Sequence, residues 1–291
     1  MVPLWTLSGA IVMGTIISLY FEMTKRIQLN EFTHTTSTFP DIMIGNTMVL
    51  KPSEKVPFTM TKVVELLKEA GLPDGVINLV NGTAEAVNAL IDHPDVKAVI
   101  FAGTSQIAEI IDQRCHRLNK RVLALGGAKN YTVSAPDCDI EMTSTDLVES
   151  YSGCSGESCM APTVLLTIGH QQDLIDKIVS KSEAIRPGSL DGQMSPVIDQ
   201  VALDSITRRI DEAEVSGARI LVDGRRWTKD RPEGYWVGPT VILHTNKQDA
   251  LLHEELFGPV LSILEVETAE EAIAFENANP YGNGAGIYTS S

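Results

Sequence analysis

The feature that most restricts the fold is a series of short apolar runs without the polar–apolar alternation of a half-exposed strand. Val96–Phe101 is interrupted only by Lys97, and Thr47–Leu50, Val76–Val80, Val122–Leu125, Thr163–Ile168, Thr240–Leu243 and Val260–Val266 are similar. Such runs suit a parallel sheet covered on both faces. Segments with helical spacing lie between them. Met60, Val63, Val64 and Leu67 recur at that spacing, and Gly71 and Pro73 end the segment. Further helices are predicted near Ala84–Ile91, Ser105–Arg114, Asp173–Ile185, Asp199–Val215 and Ala269–Asn277, with additional strands at Arg219–Val222 and Ala285–Thr289. This alternation predicts an α/β fold with a doubly wound sheet, followed by a second alternating block. The last strand has no cap or tail after it, so the chain reads as cut.

With 291 residues there is room for two ordinary domains. A net charge of −15 and the absence of any Lys/Arg cluster argue against a nucleic-acid surface. Cys115, Cys138, Cys154 and Cys159 form no CxxC pair and no Cys/His ligand spacing, so neither a metal site nor a disulfide framework is expected. Val2–Phe21 is uncharged and long enough to span a bilayer. It contains Pro3, Ser8, Gly9, Gly14 and Ser18 and lacks a basic leader, and so reads as a buried segment rather than a membrane anchor. Residues 22–44 are polar and threonine-rich without period, as in a loop or disordered insert.

Several positions could carry chemistry. Cys159 follows the turn Gly153-Cys154-Ser155-Gly156 and precedes an apolar strand run. A nucleophilic cysteine needs partial exposure and a favoured thiolate, whereas most single cysteines are inert core residues. Gly103-Thr104 sits between a strand and a helix, where backbone can approach a phosphate; a plain tight turn explains it equally well. Lys51 and Glu54 lie just past a strand end, where α/β sheets bind ligands, or else form a solvated loop. Glu255 reads as a surface acid, apart from the rigid Phe257-Gly258-Pro259 after it.

Taken together, Val49-Leu50-Lys51-Pro52-Ser53-Glu54, the Gly103 turn, Leu125-Gly126-Gly127, Gly156-x-x-Cys159 and Glu255-x-Phe257-Gly258-Pro259-Val260 resemble the aldehyde dehydrogenase superfamily. Gly127-Ala128-Lys129-Asn130, Cys159-Met160-Ala161 and Asn279-Pro280-Tyr281-Gly282-Asn283-Gly284 bring it nearest the CoA-acylating methylmalonate-semialdehyde dehydrogenases. The resemblance implies an NAD-binding domain at 1–128 and a catalytic domain at 129–291, both incomplete, with an insert near 15–44 between family-like Met1–Gly14 and Asn46. It implies NAD as cofactor, coenzyme A as acyl acceptor, a small aldehyde as substrate and a thioester on Cys159. Lys51 and Glu54 would meet the adenosine ribose, and Gly103 and Thr104 the pyrophosphate. Glu255 would meet the nicotinamide ribose, with Phe257 among the cofactor-binding residues. It also implies a homo-oligomer, through a C-terminal strand not found in this chain, and a mitochondrial matrix location. No transit peptide is visible, which leaves the cytoplasm open.

Three departures bear on the activity. Hydrolytic members carry a water-activating Glu where this chain has Ala124. A thiol ionises unaided near pH ~8.5, so CoA needs less help than water, and Ala124 favours acylation. The subfamily's Arg before the nucleophile is Ser158 here, which cannot make a bidentate contact to a substrate carboxylate. The family's oxyanion-donating Asn falls before Met1. The competing expectations are therefore an acylating dehydrogenase, an inactive remnant that at most binds nucleotide or partner subunits, and, third, a membrane-anchored protein.

Overall fold

The apolar runs of the first half become strands of one five-stranded sheet in the computed structural model, which describes residues 16–21, 46–190 and 192–291. The strands are β1 (Ile16–Phe21), β2 (Thr47–Lys51), β3 (Ile77–Leu79), β4 (Val96–Ala102) and β5 (Arg121–Leu125), in the order β3-β2-β1-β4-β5. Helices α1 (Pro57–Glu69), α2 (Ala84–Asp92) and α3 (Ser105–Arg117) connect them. Side chains alternate across a strand, so Met48 and Leu50 pack with Met60 and Val76 on one face, while Val49 joins Val99, Phe101, Ile111 and Cys115 on the other. Burial on both faces explains the unbroken apolar run of β2, whereas β5 has an equally apolar run but leaves Leu123 and Leu125 about half exposed, so double-sided cover does not extend across the whole sheet.

The sheet departs from the expected parallel pattern at its centre. β2 and β3 are parallel, as are β4 and β5, but β1 runs antiparallel to both β2 and β4. Ile16–Phe21 belongs to the stretch read as an insert, yet its Ile-Ile-Ser-Leu-Tyr-Phe composition has high strand propensity. Antiparallel pairing is at least as stable per residue as parallel, so such a run can fill the slot between two parallel pairs. Residues 22–44, read as a loop or disordered insert, lie outside the described residues. Among the described residues no helix is long and apolar enough to cross a membrane.

The described residues up to Gly127 and those from Ala128 onward form separate compact units. The second is built from β6 (Asn130–Ser134), α4 (Ile140–Ser152), β7 (Pro162–Ile168), α5 (Gln172–Ala184), the two-residue strands β8 (Arg186–Pro187) and β9 (Gln193–Met194), α6 (Gln200–Val215), β10 (Arg219–Val222), α7 (Arg225–Asp230), β11 (Thr240–His244), α8 (Ala250–His253), β12 (Val260–Val266), α9 (Ala269–Asn277) and β13 (Ala285–Tyr288). Its main sheet runs β10-β11-β12-β7-β6-β13, parallel except for β10 against β11. On one face α4 and α5 bury Leu147, Tyr151, Leu174 and Ile178 against Leu165, Leu261 and Ile263. On the other, α6 presents Leu203, Ile206, Ile210 and Ala213 at helical spacing to Val260 and Ile242. Asp139 and Asp199 cap α4 and α6 by accepting the backbone N–H of Met142 and Ala202, at 2.8 Å each.

The sequence reading passes from Leu125 to Thr163 without β6 and α4. β6 is Asn-Tyr-Thr-Val-Ser with every residue buried, so its polar members hide the strand. α4 buries Thr143 and Ser144 beside Leu147 and Val148, which blurs its apolar stripe.

Candidate active site

Cys159 owes its position to a turn that only small residues can make. α4 stops at Ser152, and Cys154, Ser155 and Gly156 follow with φ of 51°, 59° and 70°. At Gly156 a Cβ would lie 2.2 Å from the carbonyl of Gly258, so glycine is required by both conformation and space. This contact joins the cysteine turn to the Phe257-Gly258-Pro259 segment. Two further anchors hold the turn. The Ser155 hydroxyl donates to Ser195 O at 2.6 Å, and the Ile198 N–H donates to Glu157 Oε1 at 3.0 Å. Cys159 follows, half-buried, just before β7, with exposed Met160 beside it.

The electrostatics at Cys159 differ from the favoured thiolate expected of a nucleophile. Burial raises the thiol pKa, its own backbone N–H partly offsets this, and the charge of Glu255 adds to the rise. The resting group is therefore a thiol at neutral pH.

Glu255 is fixed from two sides. Its Oε1 accepts the Ala128 N–H at 3.1 Å. Burial raises its carboxyl pKa, against which the Ala128 N–H and the Lys129 charge act. Just before it, the short helix α8 ends in carbonyls that need donors. Lys129 Nζ donates to Leu251 O at 2.7 Å, Tyr131 OH to Leu252 O at 2.7 Å, and Asn279 Nδ2 to His253 O at 2.9 Å. Asn279 Nδ2 also donates to the Tyr131 hydroxyl at 2.8 Å. Lys129 is 3% exposed, and burial pushes its ammonium pKa down to about 7, against the charges of Glu255, Glu254 and Asp249. Phe257 takes φ 53°, an uncommon left-handed conformation that turns the chain from Glu255 into Gly258. A Cβ on Gly258 would lie 2.5 Å from Ile206, so this segment is tightly seated on α6.

The remaining candidates lie in the first unit. Lys51 ends β2, is 1% exposed, and donates to Pro52 O at 2.6 Å and to Glu54 Oε2 at 3.4 Å. Glu54 is half-exposed, its pKa lowered first by a backbone N–H and then by Lys51. Gly103 leaves β4, and a Cβ there would sit 2.6 Å from the Phe101 ring. Thr104 is the N-cap of the 13-residue helix α3 but gives its first-turn amides no side-chain hydrogen bond. Through β1, Lys51 is level with Phe101 and Ile17, so the ends of β2 and β4 lie two strand spacings apart, about 10 Å. A buried lysine, a glycine turn and a helix start are thus gathered at one end of the sheet, where α/β folds bind ligands. Ala124, on β5, packs against the apolar core and offers no group to activate water. Ser158 bonds locally, its Oγ accepting the Met160 N–H at 3.3 Å.

A match to the aldehyde dehydrogenase family spans residues 32–291. The chain belongs to the aldehyde dehydrogenase family. It is 39% identical over 252 residues to malonate-semialdehyde dehydrogenase 2 of Geobacillus kaustophilus, covering 85% of this chain and 52% of that protein. The mouse mitochondrial acylating methylmalonate-semialdehyde/malonate-semialdehyde dehydrogenase is 40% identical over 258 residues, covering 87% and 48%. Among solved structures, the methylmalonate-semialdehyde dehydrogenase of Oceanimonas doudoroffii aligns with a TM-score of 0.80 at 39% identity, covering 87% and 53%. A putative methylmalonate-semialdehyde dehydrogenase from Sinorhizobium meliloti, complexed with NAD, gives 0.80 at 35%, covering 86% and 52%. The chain spans about half the length of the curated relatives it matches. β1 lies outside the family match, which begins within the stretch read as an insert.

Sequence reasoning left four residues of the second unit without a role, namely Lys129, Asn130, Tyr131 and Asn279. Lys129, Asn130 and Asn279 stand inside quoted motifs, but their partners lie from about 30 to more than a hundred positions away, as with Asn130 and Cys159 or Lys129 and Leu251.

Proposed function

We propose that this chain carries the thioester-forming and nucleotide-binding residues of an NAD-dependent, CoA-acylating dehydrogenase of malonate or methylmalonate semialdehyde. The observation that carries the reading is Cys159 on a turn locked against Gly258, with Glu255 in electrostatic reach. The Cys159 sulfur adds to the aldehyde carbon as its thiol proton is lost to solvent and the carbonyl oxygen takes the negative charge. NAD would supply the hydride acceptor that lets this adduct collapse to a thioester on Cys159. Ala124 leaves water without a base at the position where hydrolytic members have one, so a thiol such as CoA is the better acceptor. Its sulfur displaces the Cys159 thiolate and carries the acyl group away. Lys51 and Glu54 would hold the adenosine ribose, Gly103 and Thr104 the phosphates and Glu255 the nicotinamide ribose, with Phe257 also among the cofactor-binding residues. Because burial holds Cys159 as a thiol, turnover rises as pH climbs toward the elevated thiol pKa. The mammalian relatives described as mitochondrial support a matrix location.

One observation favours a second reading, an inactive remnant. Ser158 places a neutral hydroxyl, already engaged with Met160, where a substrate carboxylate would meet a cation. The test is NADH formation from either semialdehyde, with and without CoA, in the wild type and Cys159→Ala. CoA-dependent turnover lost in Cys159→Ala supports the acylating enzyme. Equal turnover without CoA overturns the choice of acceptor, and no turnover in a folded sample leaves the remnant.

A further inference from the structure

Lys129 enters β6, which begins with Asn130 and Tyr131, and the alternation of an extended chain sends Lys129 and Tyr131 one way and Asn130 the other. The first and third cap α8 in front of Glu255. Asn130 instead reaches the cysteine turn. Its Nδ2 donates to Cys159 O at 2.7 Å and to Ala161 O at 2.8 Å, and its Oδ1 accepts the Gly284 N–H at 2.9 Å. Two carbonyls on one side and an N–H on the other fix which way the amide points. It is 5% exposed, so these bonds do not compete freely with water. A second carboxamide converges on the same oxygen, since Asn283 Nδ2 donates to Cys159 O at 2.5 Å from the loop before β13. Asn283 has φ 122°, a strained conformation for a non-glycine residue.

A carbonyl oxygen has two lone pairs, and here each meets a side chain from a different part of the fold. We propose that Asn130 and Asn283 are the positioning residues of Cys159, together saturating its carbonyl and fixing the direction in which its thiol projects. The proposal rests on the reading of Cys159 as nucleophile. The peptide plane after Cys159 cannot rotate without breaking both bonds. Holding that plane fixes ψ at Cys159 and with it the frame from which the side chain leaves the main chain, keeping the sulfur where its own backbone opposes the effect of burial on the thiol. Releasing either donor lets the turn relax and weakens that placement.

The experiment is the pH dependence of Cys159 alkylation by iodoacetamide, resolved from Cys115, Cys138 and Cys154 by peptide mass spectrometry. The proteins are the whole chain and its Asn130→Ala and Asn283→Gly variants, with thermal unfolding recorded for each. Glycine at 283 keeps the unusual backbone accessible while removing the donor. Both variants should move the alkylation midpoint upward by about one pH unit, roughly tenfold slower reaction at a fixed pH below it. A purely structural role would lower the unfolding temperature and leave the midpoint in place, which overturns the proposal. If Asn130→Ala does not fold, Asn283→Gly alone decides. Alkylation needs no turnover, so this outcome is separate from the nucleophile assignment. NADH formation that survives Cys159→Ala would sink that assignment and leave the midpoint result standing.

Discussion

Lys129→Met should remove a rise in stability that the wild type shows between neutral and alkaline pH. Lys129 is 3% exposed, and its Nζ donates to Leu251 O. Burial brings its pKa from 10.5 down to about 7. In the unfolded chain the amine stays protonated up to about pH 10. Between pH 7 and that point the unfolded state therefore binds more protons than the folded one, and unfolding free energy rises with pH. Each pH unit climbed in that window is worth at most about 1.36 kcal/mol, so the wild type should gain about 2 kcal/mol between pH 7 and pH 9 from this group alone. Below pH 7 both states are protonated and the contribution is flat. Methionine fills similar space and cannot titrate, so its stability should lack this increment while every other group titrates as before. Urea denaturation of both proteins at pH 7, 8 and 9 measures the difference directly. Parallel curves for wild type and Lys129→Met would refute the reasoning, because they would mean that the folded ammonium keeps its charge. The result bears on Glu255 as well, since each of the two charges acts on the other.

Three further perturbations follow from the same geometry. Gly156→Ala must place a Cβ against the Gly258 carbonyl at positive φ, and should cost about 2–4 kcal/mol in chemical denaturation; a loss under half that range would show that the turn can shift. Tyr131→Phe removes a buried hydroxyl that donates to Leu252 O and accepts from Asn279, and should destabilise by about 1–3 kcal/mol, with no measurable change counting against the network. His244 is buried with its pKa lowered by desolvation and by Lys129, partly opposed by Asp249. Its neutral form is favoured in the folded state, so its stabilisation is complete above the ordinary histidine range and lost as pH falls through the lowered folded value. His244→Gln should flatten that acid limb of the stability curve, and an unchanged limb would exclude His244 as its source.

Much of this protein was determined locally. The strands at Thr47–Lys51 and Val96–Ala102 were legible because apolar strands need no partner to declare themselves. The turn at Gly156 and the rigid Phe257-Gly258-Pro259 were legible because glycine and proline restrict backbone wherever they stand. Tertiary structure decided the rest. Nothing local in Ile16–Phe21 specifies that it pairs antiparallel between β2 and β4, since strand direction depends on which edges are free. Nothing in β6 announces a strand, because Asn130, Thr132 and Ser134 are polar, and only in the fold does Asn130 meet the carbonyls and N–H that satisfy it. The chemical state of Cys159 was also beyond the sequence. A glycine-flanked cysteine suggested an activated thiolate, but burial and Glu255 raise its pKa, and both arise from folding distant segments together. The sequence could name the cysteine from its motif. Only the fold shows that two asparagines, one at the start of a strand and one in the loop before the last, meet on its carbonyl. A hydrogen bond depends on position in space, and these two asparagines are more than a hundred positions apart in the chain.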